Sequence, residues 1–394
     1  MKRLGLLQTS GAALVSIGLV PKPVLAAPTA PFKIGIIWSY TGGGPAAGPE
    51  LDAAMAAFQK VHGDTVAGRK VQIVRRDDTG VNPEVARRMA QELVVQEKVD
   101  MIAGMIFTAN SMTVGDISNQ SKTPVMLVNS VATGLLPKYP YMTRWSFTTL
   151  ELTDVLGKWA AKNGYKTIYT MYADNQSGVD ANVGFQRAFE GAGGKVVGVS
   201  PMPLTATDFS AYIQRAKDAK PDGCFIFLLA GGGSAQFLKQ YDAAGLQKAG
   251  IKILATGDLV SENNLPQMGD AAIGIVSAYH YSSAHNSALN RQYQQEALAI
   301  THGNPYPSFA GVAMWDILTA TYRALVAQKG DWDPDKTLAF LKGYKAESPR
   351  GPIEIDPQTR DIIQNIYLRR AEKRNGALVN VEFATYPMVV SPEK

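Results

Sequence analysis

Ile34-Gly35-Ile36-Ile37-Trp38 is a short apolar run with no polar alternation, and the way the chain continues from it decides the fold. An amphipathic stretch from Leu51 to Val61 follows, then Val71-Gln72-Ile73-Val74, then a second amphipathic stretch from Val85 to Gln96. The same alternation carries on through Met101-Ile102-Ala103, Met112 to Gln120, and Val125-Met126-Leu127-Val128. Strands that are apolar throughout are buried on both faces, and in a strand-helix series this implies a parallel sheet covered by helices on each side.

Beyond Trp145-Ser146-Phe147 the pattern begins again. A helix through Leu156 to Trp159 leads to Thr167 to Tyr172, a helix ending at Gly191 to Gly194, and Val196 to Val199. A helix after Asp208, the run Cys224-Phe225-Ile226-Phe227-Leu228-Leu229, a helix from Ala235 to Ala244 and Ile251 to Ala255 complete the second series. Pro305 to Gln328 is a long amphipathic helix, and Pro352 to Pro357, Ile362 to Leu368 and Leu378 to Phe383 read as a closing β ribbon. Gly164 and Gly245 fit left-handed helix ends and Asp208 fits an N-cap. The expected class is therefore α/β, with two doubly wound Rossmann-like lobes.

The first 26 residues stand outside this pattern. Lys2 and Arg3 precede an apolar run from Ala12 to Val20, then Val24-Leu25-Ala26, whose small residues suit a signal peptidase. An export signal over residues 1–26, cut after Ala26 or Ala27, is the expectation, with a periplasmic mature chain. The Lys-Arg pair resembles a twin-arginine signal in part, so the export route stays open.

The formal net charge of +5 includes Lys2, Arg3 and Lys22, and without them 36 basic residues face 34 acidic ones. No basic stripe with interleaved aromatics remains, which argues against nucleic acid as a partner. No later window reaches the ~18 apolar residues needed to span a bilayer.

Enzymatic chemistry finds little support in the residue pattern. Cys224 is the only cysteine and sits in an apolar run, so an inert core thiol is expected, with no disulfide. The glycines at Gly42 and Gly231 are not followed by Gly-Lys-Ser/Thr, and no dinucleotide fingerprint opens a helix. His62, His280, His285 and His302 lack metal-binding spacing, and a surface position is expected for His280 and His285. Asp77-Asp78 reads as a polar strand end. No metal, cofactor or catalytic residue is expected. A doubly wound enzyme and a sensor module are the less favoured readings, the latter calling for an output segment that the sequence does not offer.

Lys33-Ile34-Gly35-Ile36 leading into Tyr40-Thr41-Gly42-Gly43-Gly44 resembles the opening of the leucine/isoleucine/valine-binding periplasmic protein family, the substrate-binding proteins of ABC transporters. The segments Gly104 to Ile117, Pro124 to Thr133, Asp208 to Tyr212 with Lys220-Pro221-Asp222, and Gln240 to Leu246 agree in order and spacing, as does the tail from Gly351 to Arg360.

The resemblance implies a type I periplasmic-binding fold, its lobes joined by three crossover segments. Lobe 1 is expected over residues 32–147 plus 280–353, and lobe 2 over 148–279 plus 354–392. It further implies a small amino acid, branched-chain or otherwise apolar, or an aromatic or other amine-free carboxylate, held between lobes that close by a hinge. A membrane ABC permease is the expected partner and a monomer the expected state.

The same resemblance implies the site. Thr108 and Ala109 at one helix start, and Ala132-Thr133 after the next strand, would hold a carboxylate, although Thr108 also reads as a plain N-cap. Asp258 would meet a ligand's ammonium, or be an ordinary turn aspartate. Ser177 stands where relatives carry an aromatic, and residues 230–234 lack another. Trp38 and Tyr40 would supply ligand-facing aromatic surface. Phe107, Tyr279 and Tyr281 could do so too, with core or hinge packing the alternative for Phe107 and Tyr279.

Overall fold

The computed structural model describes residues 30–42, 47–229 and 231–392. The expected export signal lies outside them.

The first unit runs β1 (Phe32–Trp38), α1 (Ala47–His62), β2 (Thr65–Val66), β3 (Arg69–Asp77), α2 (Pro83–Gln91), β4 (Met101–Gly104), α3 (Thr108–Ser121), β5 (Val125–Leu127) and β6 (Met142–Arg144). Its sheet has the order β2-β3-β1-β4-β5-β6, and every pairing from β3 to β6 is parallel. Both faces are covered, which explains the missing polar alternation. Phe32, Ile34, Ile36 and Trp38 join the main core, while Ile37 packs on the other face with Ala86, Leu93 and Val114. Gly35 is required beneath that second layer: a Cβ there would stand 2.8 Å from Leu93.

The second unit runs α4 (Thr149–Lys162), β7 (Thr167–Ala173), α5 (Gln176–Gly191), β8 (Lys195–Met202), α6 (Ser210–Ala219), β9 (Gly223–Phe227), α7 (Gly232–Ala243), β10 (Lys252–Thr256), α8 (Leu265–Met268) and β11 (Val276–Tyr279). The chain then returns to the first unit, where α9 (Ala288–Thr301) and α10 (Phe309–Ala327) pack on α1. Because α10 also touches β2 and β4, it is apolar nearly all round, as a doubly covered helix must be. After α11 (Pro334–Leu341) come β12 (Lys345–Ser348), β13 (Gly351–Ile355), β14 (Ile362–Arg374) and β15 (Ala377–Val389).

These last four strands all belong to the second sheet, ordered β12-β13-β14-β11-β10-β9-β7-β8 with β15 on β14. The chain thus passes between the units at residues 145–148, again after Tyr279, and a third time at 342–344. The sequence reading carried the first lobe to residue 353. The strand Lys345–Ser348 escaped it because this edge strand is short and mostly polar, with little apolar pattern to read.

Two glycine predictions have a direct counterpart, since Gly164 (φ 93°) and Gly245 (φ 76°) are left-handed. Asp208 lies one residue before the observed cap, Phe209, and accepts from Ser210 N at 2.9 Å. Cys224 is fully buried, and burial pushes its thiol up to about 12. His280 departs from expectation. It is fully buried against the rings of Phe147 and Tyr279, and burial holds its pKa well below the usual range. His285 is also off the open surface, its Nδ1 3.0 Å from Glu382.

The turn after β4 positions everything that follows. Gly104 adopts φ 118°, and a Cβ there would fall 2.1 Å from Ile37 O. Met105, itself left-handed, donates its N–H to that same carbonyl at 2.7 Å. The reversal starts α3 at the very edge of the sheet. Gly104→Ala combines forbidden backbone with a clash, and should lower stability by about 2 kcal/mol, measured by urea unfolding.

Candidate functional site

The carboxyl ends of the strands of both sheets face one another, and ligands of open α/β sheets bind beyond such ends. A cavity of about 40 Å³ lies there, walled by Ile106, Phe107, Thr108, Asn129, Val131, Ser177, Phe227, Leu229, Asp258 and Phe309. These residues come from the carboxyl end of β9, from the loops and helix starts that follow β4, β5, β7, β9 and β10, and from the start of α10. A larger groove of about 810 Å³ opens at the opposite, amino end of the second sheet, past Trp159, Asp222 and Arg370. Strand direction favours the smaller, enclosed one as the ligand site.

Three expected residues, Thr108, Ser177 and Asp258, line the cavity. Thr108 is not the N-cap: Phe107 occupies that position and gives α3 no side-chain cap. The first N–H groups of α3 therefore carry no capping oxygen and stand ready for an anion. Thr108 Oγ1 accepts from Ala132 N at 3.3 Å, which leaves its own proton to donate. Ala132 thus serves through its backbone, while Ala109 is exposed.

Thr133 is engaged elsewhere. Its N–H and hydroxyl both donate to Asp180 Oδ2, at 2.9 and 3.0 Å. Trp38 does not reach the cavity either. It is fully buried with its indole N–H on Ala47 O, because the last residue of β1 points into the core beneath α1. Tyr40 turns its hydroxyl to Asp52 at 3.3 Å. Of the other aromatics considered, Phe107 lines the cavity, whereas Tyr279 and Tyr281 are fully buried.

Among the described residues of the wall, Asp258 is the one ionisable side chain. Burial pushes its carboxyl up to about 6, against the pull of hydrogen bonds from Thr256 Oγ1 at 3.0 Å and Tyr279 OH at 3.2 Å. Behind it the Arg369 guanidinium lies 4.7 Å from the Tyr279 ring centre and pairs with Glu262 at 3.0 Å. Two donors leave an ionised carboxylate with lone pairs to spare.

Sequence reasoning missed Ile106, Asn129, Val131, Phe227, Leu229 and Phe309. Asn129 Nδ2 donates to Ile106 O, while its buried Oδ1 has no partner among the described residues and is a ready acceptor. Phe227 ends β9, where its apolar run reads only as core, and Phe309 begins a helix distant in sequence.

The sequence profile of the family described as "Periplasmic binding protein" matches residues 31–377. A "Leu/Ile/Val-binding protein homolog 6" of Brucella melitensis is 36% identical over 376 residues, spanning 95% of this chain and 96% of its own. A solute-binding protein of an ABC transporter from Rhodopseudomonas palustris BisB5, solved with 3,4-dihydroxybenzoic acid, is 40% identical at a TM-score of 0.87. Another from Rhodopseudomonas palustris HaA2, solved with p-hydroxybenzoic acid, is 37% identical at 0.88, and each alignment covers 92% of this chain and 98% of the other.

Proposed function

The chain belongs to the periplasmic binding protein family, as a solute-binding component of an ABC transporter, and from that premise we propose that its ligand is a small aromatic carboxylate of the hydroxybenzoate kind. The observation that carries this reading is the wall itself: three phenylalanines, Phe107, Phe227 and Phe309, between an uncapped helix start and the buried Asp258. A ring packs among the phenylalanines. The ligand's carboxylate lies against the N-terminus of α3 and the Thr108 hydroxyl. Its phenolic O–H donates to Asp258, and Asn129 Oδ1 offers a second acceptor.

An ammonium suits this wall less well. Asp258 already takes two hydrogen bonds and sits near Arg369, so its power to compensate a buried cation is reduced. The likeness to two solved hydroxybenzoate complexes supports the same choice. The relatives' Leu/Ile/Val name keeps those amino acids in the test.

A cavity of about 40 Å³ is too small for the ring, since an apolar cavity of ~150 Å³ takes benzene. The two lobes therefore part to admit ligand, bending at the three passages between the sheets, and the phenylalanine wall spreads around the ring as they close on it. The mature chain starts after the 1–26 signal, works in the periplasm as a monomer, and presents its closed form to a membrane permease. Binding occurs without turnover.

Calorimetry of the mature protein with 4-hydroxybenzoate, 3,4-dihydroxybenzoate, benzoate, leucine, isoleucine and valine tests the reading. The hydroxybenzoates should bind most tightly and be recovered unchanged. Asp258→Ala should weaken 4-hydroxybenzoate about thirtyfold, the worth of a hydrogen bond to a charged group, with benzoate little affected. Tight binding of leucine with none of 4-hydroxybenzoate would overturn it.

A further inference from the structure

Thr133 and Asp180 meet across the cleft. Thr133 follows β5 on the first sheet, and Asp180 lies one turn into α5 on the second. Asp180 stands three residues after the cavity-lining Ser177, which puts both on one helix face beside the ligand space. Both carboxylate oxygens are engaged: Oδ2 takes the Thr133 N–H at 2.9 Å and hydroxyl at 3.0 Å, while Oδ1 takes Gln176 Nε2 at 2.8 Å. Asp180 is 8% exposed, so these charge-assisted bonds are largely shielded from water.

The Thr133 bonds join one lobe to the other and hold nothing together within either. Their free energy therefore counts toward the closed arrangement alone and vanishes when the lobes part. We infer that Asp180 is the latch of the closed cleft and Thr133 its keeper, a positioning pair that holds the second lobe over the ligand without touching it. The donors that the family resemblance assigns to a ligand's carboxylate are here occupied by a carboxylate of the protein. The ligand's own carboxylate is then left to α3 and Thr108.

The same contact would arise if Asp180 were an internal competitor for the ligand's place, and the two differ in sign. Dyes on Val95→Cys and Val199→Cys, exposed positions on the two lobes, report lobe separation, with Cys224 too buried to label. Asp180→Ala should shift the population toward the open distance, speed 4-hydroxybenzoate release about tenfold and weaken binding about tenfold. Thr133→Val should act in the same direction and add nothing to Asp180→Ala, while Thr133→Ser, which keeps both donors, should behave as wild type.

Tighter binding by Asp180→Ala would overturn the latch in favour of the competitor. A lower melting temperature with unchanged lobe distance would overturn it too, by reducing Asp180 to a support of α5. The affinity arm rests on the aromatic-carboxylate reading; the distance arm does not. Should wild type bind no aromatic carboxylate, that reading fails while the dye distances still decide the latch.

Discussion

Arg350→Ala should cost about 4 kcal/mol of folding stability, which is the usual scale for stripping one partner from a buried ion pair. The Arg350 side chain is fully buried. Its Nε and Nη2 reach Asp316 Oδ2 at 3.0 and 2.8 Å, and Nη2 also donates to Trp145 O at 2.7 Å. Asp316 sits within α10 on the first lobe, Trp145 opens the first passage between lobes, and Arg350 precedes β13 in the second sheet. One guanidinium thus ties together three parts of the chain that meet where it passes between the two units.

Removing it leaves Asp316, 3% exposed, with a hydrogen bond from the Ser348 hydroxyl at 2.9 Å but without the cation that compensates its buried charge. The pair Arg350→Met with Asp316→Leu should recover most of the loss, because the cost lies in the stranded charge and apolar side chains of similar volume do not incur it. Urea unfolding of the two variants beside wild type checks this. A loss under 1 kcal/mol in the single variant would mean that the junction of the two units does not depend on this pair.

The fold was legible because parallel strands buried on both faces leave an unmixed apolar record: Ile34 to Trp38 and Cys224 to Phe227 could be little else. What the residues could not disclose were the meetings between distant segments. Thr133 has donors that suit a ligand, and only the apposition of the two sheets brings Asp180 to them, 47 positions away. Trp38 looks like a cleft aromatic from its place at a strand end, yet the strand's pleat turns it inward under α1. Phe309 lines the cavity only because α10 returns from the second unit to the first. Thr108, Ser177 and Asp258 were reached through the family resemblance, which carries over to them because each sits a short, local step beyond a strand end.

Glu50 should make the protein lose stability as pH rises toward neutrality. Its carboxylate is 5% exposed in α1, and burial raises its pKa from the ordinary 4.5 to about 7, opposed by hydrogen bonds from Ser308 and Gly311. Asn263, from the second lobe, donates to its Oε2 at 3.0 Å. A carboxyl whose folded-state pKa stands above its unfolded value holds its proton more tightly when folded, so protonation favours the folded chain. The contribution is full below pH 4.5, declines through the interval, and is gone above about 7. A shift of that size corresponds to about 3 kcal/mol. Asp258 acts in the same direction over a lower window, from 3.8 to about 6. Asp77 and Asp222, whose pKa values are lowered chiefly by hydrogen bonds from Thr41 and Thr79 and from Thr167 and Lys166, against a burial penalty that raises them, act oppositely. Their contributions are lost only as pH falls below the ordinary aspartate range, whereas His280 and His62, whose pKa values burial lowers, add stability as pH rises through the ordinary histidine range, and the buried Glu151, raised well above the ordinary 4.5, acts with Glu50. The Glu50 share is read as a difference: from about pH 6 to 7.5 the unfolding free energy of wild type should fall relative to that of Glu50→Gln, whatever the variant's absolute stability. The slope is the deciding quantity, because the amide's N–H₂ would face the Ser308 and Asn263 donors and lower stability at every pH by an amount that does not titrate. An equal slope in both proteins would locate the titrating group elsewhere.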